Sequence, residues 1–502
     1  MFDKIKRLGT DTAVYGVSTV VGRFLTFILT PFYTHLLTRD ELGVVSTVYA
    51  YIAFLNIIYA YGMEAAFMRY VSSLEIGTKK QNFSVPFIAI LLTSLVLTLL
   101  IGWQALPLAS LSRVPLRYAS IVSYSGWILF FDAAAIIPFA LLRMERKAKL
   151  FAALKLWNIV ITVILNLLFL VKYGWGVEGI FLGNLLASAS TLLLLLPVIL
   201  RNFTLEWNQP LFAALLRFGI PAIPSYIATM MIQVIDRPIL ESLTDLATVG
   251  VYQANYRLGI FMMLVVSMFD FAWRPFFLSS ARDPDAKHLF SRVLTYFFAA
   301  MMAVFLLASM FVEDLVTTPI YHGASIIHPN YWSGLGIVPV ILLAYVFLGI
   351  SNVLVAGIYI EKQTKRLPLI TFTGAATNIV ANYALIPVLG ILGAALATLV
   401  SYAVMAIVLY VIVQSIYPIR YEVERVAKIA LTSAVVYLLF VFIKFDSLEI
   451  LWKVFLLLLF GGLMYMMKVF TAAELSFLRR LVTRRARTSS VDDIPSPTNT
   501  PG

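Results

Sequence analysis

Long apolar runs, separated by short polar connections, dominate the chain. A helix needs about 20 mostly apolar residues to cross the hydrocarbon core of a bilayer, and fourteen runs meet that length. Twelve fall at residues 10–37, 42–70, 82–107, 118–143, 150–172, 177–201, 213–235, 248–277, 288–312, 332–358, 368–388 and 390–414. Two more follow at 424–443 and 447–468. The expected fold is an all-α polytopic membrane protein with fourteen transmembrane helices.

The polar positions inside these runs recur. Residues 249–280 lie without a gap on residues 42–73, 207 positions earlier. Gly43, Val44, Tyr49, Phe54, Ala65, Ser72 and Ser73 fall on Gly250, Val251, Tyr256, Phe261, Ala272, Ser279 and Ser280. Asn166 and the turn at Gly176 parallel Asn382 and the turn at Gly390, the second copy being two residues shorter between them. Two matches in the same order point to an internal duplication. The expected organisation is an N-terminal lobe at 1–207, a C-terminal lobe at 208–417, each of six helices, two added helices at 418–470, and a tail at 471–502. In that tail, AAELSFLRRLVTRRAR reads as a helix lying on the membrane surface, and the last residues lack the apolar content to fold.

Composition agrees with the pattern. The chain is 61% hydrophobic and 13% charged, with a mean hydropathy of +0.90, too apolar for a water-soluble surface. A net charge of +12 raises nucleic acid as a partner until the charges are sorted by side. With a cytoplasmic N-terminus, about 25 Lys and Arg fall inside and about 6 outside, among them Arg237, which is the positive-inside bias. Nucleic acid is therefore dropped, and both termini are expected in the cytoplasm. No cleavage site follows the first basic residues, so the first run is expected to stay as a helix. The absence of cysteine excludes disulfides and a thiol nucleophile. Every connection is short, and the longest outer one, 313–331, is too small for a soluble catalytic domain. There is no Walker sequence, and His35, His288, His322 and His328 lack metal-ligand spacing. No enzyme activity, cofactor or metal is expected.

Candidate chemistry rests on charge inside the spans, which costs several kcal/mol unless paired or hydrated. Arg23 lies mid-helix, about 20 Å from either end, and faces either a watery cavity or an ion pair with Glu64 or Asp132. Arg257 is two turns into the eighth helix. Glu64 and Asp132 are candidates for ion pairing or proton coupling. Asp270 and Arg274, four apart with the acid first, suit a local pair ahead of a bend at Pro275, and serve as a gate or hinge. On a straight helix Arg257 points away from them. Pro221 and Pro224 would break the seventh helix, a mark of moving parts in transporters. Asn158, Asn166, Asn184, Asn378 and Asn382 read as hydrogen bonds between packed helices.

The stretches YGVSTVVGRFLTFILTPFYTHLLTRDELGVVSTVYAY near the start and NIVANYALIPVLGILGAALAT at 378–398 resemble the polysaccharide and oligosaccharide flippases (Wzx-type). These belong to the multidrug/oligosaccharidyl-lipid/polysaccharide (MOP) exporter superfamily. The resemblance, over residues 5–470, implies two pseudo-symmetric lobes, alternating V-shaped cavities and a cationic lumen. It implies as substrate an undecaprenyl-pyrophosphate-linked oligosaccharide carried across a bacterial inner membrane for surface polysaccharide such as O-antigen. It further implies contact with membrane lipids and with polysaccharide polymerase machinery. Arg23 and Arg257 are the candidates for the pyrophosphate, since guanidinium binds phosphate oxygens with paired donors. The alternatives are a cation-coupled multidrug extruder using Asp132 or Glu64, and a membrane glycosyltransferase or polymerase using His322 and His328.

Overall fold

The computed structural model describes residues 24–25, 27–281, 283–321, 324–445 and 448–470. Arg23, His322 and the whole segment expected as a surface helix and tail lie outside the described residues. Helical residues 27–36 form α1. Thirteen further helices among the described residues are long and apolar enough to cross a membrane. They are α2 (Arg39–Ser73), α3 (Lys79–Trp103), α4 (Leu116–Met144), α5 (Ala148–Lys172), α6 (Gly176–Asn202) and α7 (Gln209–Val234). The second series is α8 (Leu246–Ser280), α9 (Ala286–Thr317), α10 (Pro329–Ile360), α11 (Thr364–Leu389) and α12 (Ile391–Ile416), followed by α13 (Val423–Phe442) and α14 (Glu449–Met466). The chain is a helical, multi-pass membrane protein. Its 313–331 connection holds a small antiparallel hairpin, Pro319–Tyr321 with Ala324–Ser325.

Helix ends follow local chemistry. Thr38 caps α2: its hydroxyl accepts from the Glu41 amide while the Glu41 carboxylate accepts from the Thr38 amide. Thr78 and Gln81 repeat that arrangement at α3. Asp245 caps α8 by accepting from the Thr248 amide at 2.7 Å, at the position 207 after Thr38. Such caps satisfy amides that a helix start leaves open, each contributing about 1 kcal/mol.

Several long helices are interrupted. In α2 the break is at Tyr61 and Gly62, where Gly62 has φ of 76°. In α7 a 3₁₀ turn at Ile220–Ala222 separates Gln209–Gly219 from Ile223–Val234, where Pro221 and Pro224 lack the amide hydrogens an α-helix uses. In α8 the interruption is at Arg257–Gly259, whereas Pro275 lies within the continuous helix Ile260–Ser280. The extra two residues between Asn166 and Gly176 are taken up around a π-helical turn at Leu168–Lys172.

The described residues form two compact units. The first runs to Phe290 and includes Phe311–Arg420, so residue 207 is not a contact boundary; the second joins Ser291–Met310 to the residues from Tyr421 onward. In the first unit α2 and α8 pack backbone to backbone. A Cβ on Gly43 would stand 1.9 Å from the Leu246 carbonyl oxygen, and one on Gly250 would stand 2.0 Å from that of Arg39. Arg39 and Leu246, like Gly43 and Gly250, are 207 apart, so the contact is mirrored through the repeat. Farther along α2, a Cβ on Gly62 would stand 2.3 Å from the Gly219 carbonyl oxygen, and Arg69 lies 4.9 Å over the Phe218 ring.

In the second unit Thr295 donates to the Glu422 carboxylate at 2.7 Å, and Arg425 pairs with Glu422. Phe305 meets Tyr437 with ring centroids 5.3 Å apart. Lys453, buried in α14, pairs with Glu449 one turn earlier.

Candidate functional site

Three cavities run through the first unit and share walls. The middle one, 520 Å³, lies between α2 and α7 and is lined by Asn56, Glu64, Met68, Arg143, Tyr226 and Thr229 among others. Asn56, Glu64 and Arg143 also wall a second cavity of 330 Å³ enclosed by α2, α4, α5 and α6. Thr229 also walls a third, of 310 Å³, enclosed by α7, α8, α10, α11 and α12.

The α2–α6 cavity is ionic. Arg143 at the end of α4 pairs with Glu64 beyond the α2 break. Half-buried Asp132 shares the cavity with Ser188 and with Lys155 of α5, whose ammonium lies 4.3 Å over the Phe139 ring. Asn158 donates to Thr191 at 3.0 Å between α5 and α6. Two acids and two bases within one cavity keep it close to neutral while leaving strong local fields, which in low dielectric orient ions and polar groups.

The α7–α12 cavity is aromatic. Tyr345 donates to the Tyr256 hydroxyl at 3.2 Å, with ring centroids 6.3 Å apart, and Tyr402 lies 6.5 Å from Tyr345. Met263, Thr371 and Met405 complete the wall. Behind Tyr256 is a buried ion pair: Arg237 bonds Asp236 at 2.7 Å and Gln253 at 3.1 Å, and stacks 4.4 Å over the Tyr256 ring. Arg237, counted among the outer charges, is buried, with Asp236, Gln253 and the Gln233 carbonyl accepting from its Nε and one terminal nitrogen.

The two end cavities are repeat-related. The offset of 207 between α2 and α8 puts Asn56 on Met263; that of 216 between Asn166 and Asn382 puts Lys155 on Thr371; that of 214 between Gly176 and Gly390 puts Ser188 on Tyr402 and Thr191 on Met405. Each residue of these pairs lines its own cavity.

The other candidates are spread out. Arg257, at the α8 interruption, lies 5.3 Å over the Tyr33 ring and 3.4 Å from the Thr30 hydroxyl on α1, with no carboxylate partner among the described residues. Tyr33 in turn donates to Asn166 at 3.0 Å, and Asn184 donates to Tyr49 at 2.9 Å. Asn382 instead bonds Asn378 within α11, to its carbonyl at 2.8 Å and its side chain at 3.0 Å, rather than a neighbouring helix. Arg274 pairs with Asp270 at 3.0 Å, one turn apart on an accessible face and separate from Arg257. His328 accepts from the Asn330 amide and stands against His35, which contacts the Ser325 carbonyl at 2.7 Å. Among the described residues no three His, Cys, Asp or Glu side chains gather as a metal site. Sequence reasoning missed Lys155 and Arg143 as cavity residues; Lys155, a charge inside an apolar run, carried the signal.

The family described as polysaccharide biosynthesis protein matches residues 8–280. No curated protein sequence matches the chain. Among solved structures the fold is similar to "Lipid II flippase MurJ, inward closed conformation", with a TM-score of 0.72 at 16% identity over 90% of this chain and 99% of that one. It is also similar to an inward-facing multidrug resistance MATE family transporter of the MOP superfamily, with 0.61 at 15% over 78% and 94%. A third likeness is a MOP superfamily transporter from Pyrococcus furiosus, with 0.56 at 16% over 81% and 95%. The chain belongs to the polysaccharide biosynthesis protein family and has the fold of the MOP superfamily transporters.

Proposed function

We propose that the protein is a flippase and not an enzyme, moving undecaprenyl-pyrophosphate-linked oligosaccharide from the cytoplasmic to the outer leaflet of a bacterial inner membrane. Both termini are cytoplasmic in this reading, and the exported glycan feeds surface polysaccharide synthesis alongside its polymerase machinery. The observation that carries it is the row of cavities, cationic and acidic at one end and aromatic at the other, inside a membrane protein of this family. A lipid-linked saccharide needs such an interior: a charged place for its pyrophosphate and a sheltered one for its sugars, while its hydrocarbon tail stays in lipid.

Arg143 and Arg257 are the cations for the pyrophosphate, with Arg23 a further candidate. Asp132 and Glu64 are the groups for ion or proton coupling. Movement uses the breaks at Pro221 and Pro224 and at Gly62, with the Asp270–Arg274 pair as a gate. The test is export of the host's surface glycan in a strain lacking other flippases. Arg143→Ala and Arg257→Ala should each lower export by roughly tenfold to a hundredfold, the worth of a charge-assisted hydrogen bond to phosphate. Full export by the double variant at normal expression would remove both from the mechanism.

The acids lining a cavity favour one other reading, a cation-coupled drug extruder. It would be upheld by efflux of cationic dyes that disappears in Asp132→Asn, with glycan export never restored by the wild-type chain.

A further inference from the structure

We infer that the α7–α12 cavity is a saccharide subsite, taking a neutral sugar ring of the translocated lipid. This inference rests on the flippase reading and assigns a part of the substrate to a part of the molecule. Three tyrosines converge there, with Tyr345 and Tyr402 buried and Tyr256 half-buried. Their ring faces offer apolar, electron-rich surface, which suits the C–H face of a pyranose. Polar groups stand at the edge. The Gln233 amide and the Tyr402 hydroxyl have no hydrogen-bond partner among the described residues, and the Thr229 hydroxyl lies at the wall shared with the middle cavity. An apolar face with a hydroxyl edge is the amphipathic pattern of a sugar ring.

The alternatives fit less well. A lipophilic cation would seek a carboxylate, and none lines this cavity. The nearest acid, Asp236, is taken up by Arg237. A phosphate would seek a cation, yet none lines this cavity, and the Arg237 guanidinium behind Tyr256 already donates to Asp236, Gln253 and the Gln233 carbonyl. At 310 Å³ the space is at the lower limit for small-molecule pockets, near 300 Å³, so it holds a ring or two and not a polymer.

The position makes the same argument. Thr229 connects this cavity to the one walled by Arg143, so a pyrophosphate beside Arg143 would direct its first sugars toward Thr229 and the tyrosines. Duplication supplied two cavities of one origin. Asn56, Lys155, Ser188 and Thr191 of the first cavity stand at the positions of Met263, Thr371, Tyr402 and Met405 in the second.

The experiment is native mass spectrometry of the purified full chain. Its probes are sugar-free undecaprenyl pyrophosphate and the undecaprenyl-pyrophosphate-linked glycan fraction extracted from the chain's own host. Wild-type protein should retain the glycosylated lipid in preference to the bare one. Tyr402→Phe and Gln233→Ala should each reduce that preference by roughly threefold to tenfold, the range for one neutral hydrogen bond, with binding of the bare lipid unchanged. An unchanged preference in both variants overturns the subsite, as does an equal loss of both lipids, which would mark a structural role. Wild-type protein that binds the two lipids equally also overturns the subsite but leaves the flippase reading standing. Wild-type protein that binds neither removes the flippase reading and the subsite with it.

Discussion

The two end cavities occupy equivalent places in the repeated helices, yet one is walled by ions and the other by aromatic rings. Asn56, Lys155, Ser188 and Thr191 face the first; Met263, Thr371, Tyr402 and Met405 face the second. Matched positions line both cavities, and their chemistry differs. The reason is physical: helix packing in a membrane is specified by small residues at close approaches and by van der Waals fit, whereas a cavity wall makes few packing contacts and can change identity at little cost to the fold. The conserved part of the repeat is accordingly found in the mirrored contact of α2 with α8, not in the cavities.

That contrast yields a ranked set of tests. The largest effect is expected where the repeat is tightest. Gly43→Val and Gly250→Val each push side-chain atoms into a carbonyl oxygen that cannot retreat, costing about 3 kcal/mol. Thermal unfolding of the purified variants should show equal losses at the two positions, and a loss confined to one would break the equivalence. Next come the cavity walls. Lys155→Met leaves Asp132 without its counter-charge and should lower transport roughly tenfold, about 1.4 kcal/mol at the interaction strength of accessible charges. The matched Thr371→Val should change it less than about threefold. Equal effects would mean the cavities do the same work.

The smallest effect lies outside the cavities. Glu145, following α4, bonds Lys147 at 2.8 Å and Lys79 at 2.9 Å. The Lys147 hydrogen bond, with Lys79 adding to it, holds its carboxyl below the ordinary value of 4.5. A lowered folded value contributes stability that is fully present above the ordinary value and fades as pH falls through the lowered one. Glu145→Gln should therefore cost slightly at neutral pH and flatten the acid limb of thermal stability.

Much of this was legible in the chain. The apolar runs marked the spans, and the offset of 207 matched Gly43 with Gly250, whose meeting in the α2–α8 contact only the structure shows. Pro221 and Pro224 marked the α7 break. The pairings were not legible, because they join residues remote in sequence: Glu64 meets Arg143 across 79 positions. Counting charges by side placed Arg237 outside and could not show its burial, which Asp236, Gln253, Tyr252 and Tyr256 packed around it make tolerable. Asn382, read as a bond between helices, turned instead to Asn378, four residues back on its own helix, a geometry that spacing alone allows equally well.

By itself, then, the sequence determined that this is a membrane protein of many helices, that the seventh breaks at its prolines, and that its residues recur at an offset of 207. These are properties of local hydropathy, of proline and glycine backbones, and of residue order, none of which needs a neighbour to be defined. Tertiary structure alone decided which charges are paired, which are buried, and which positions share a cavity. Those depend on distances in space, and two copies of one sequence pattern became an ionic chamber and an aromatic one through the side chains that packing brought to face each other.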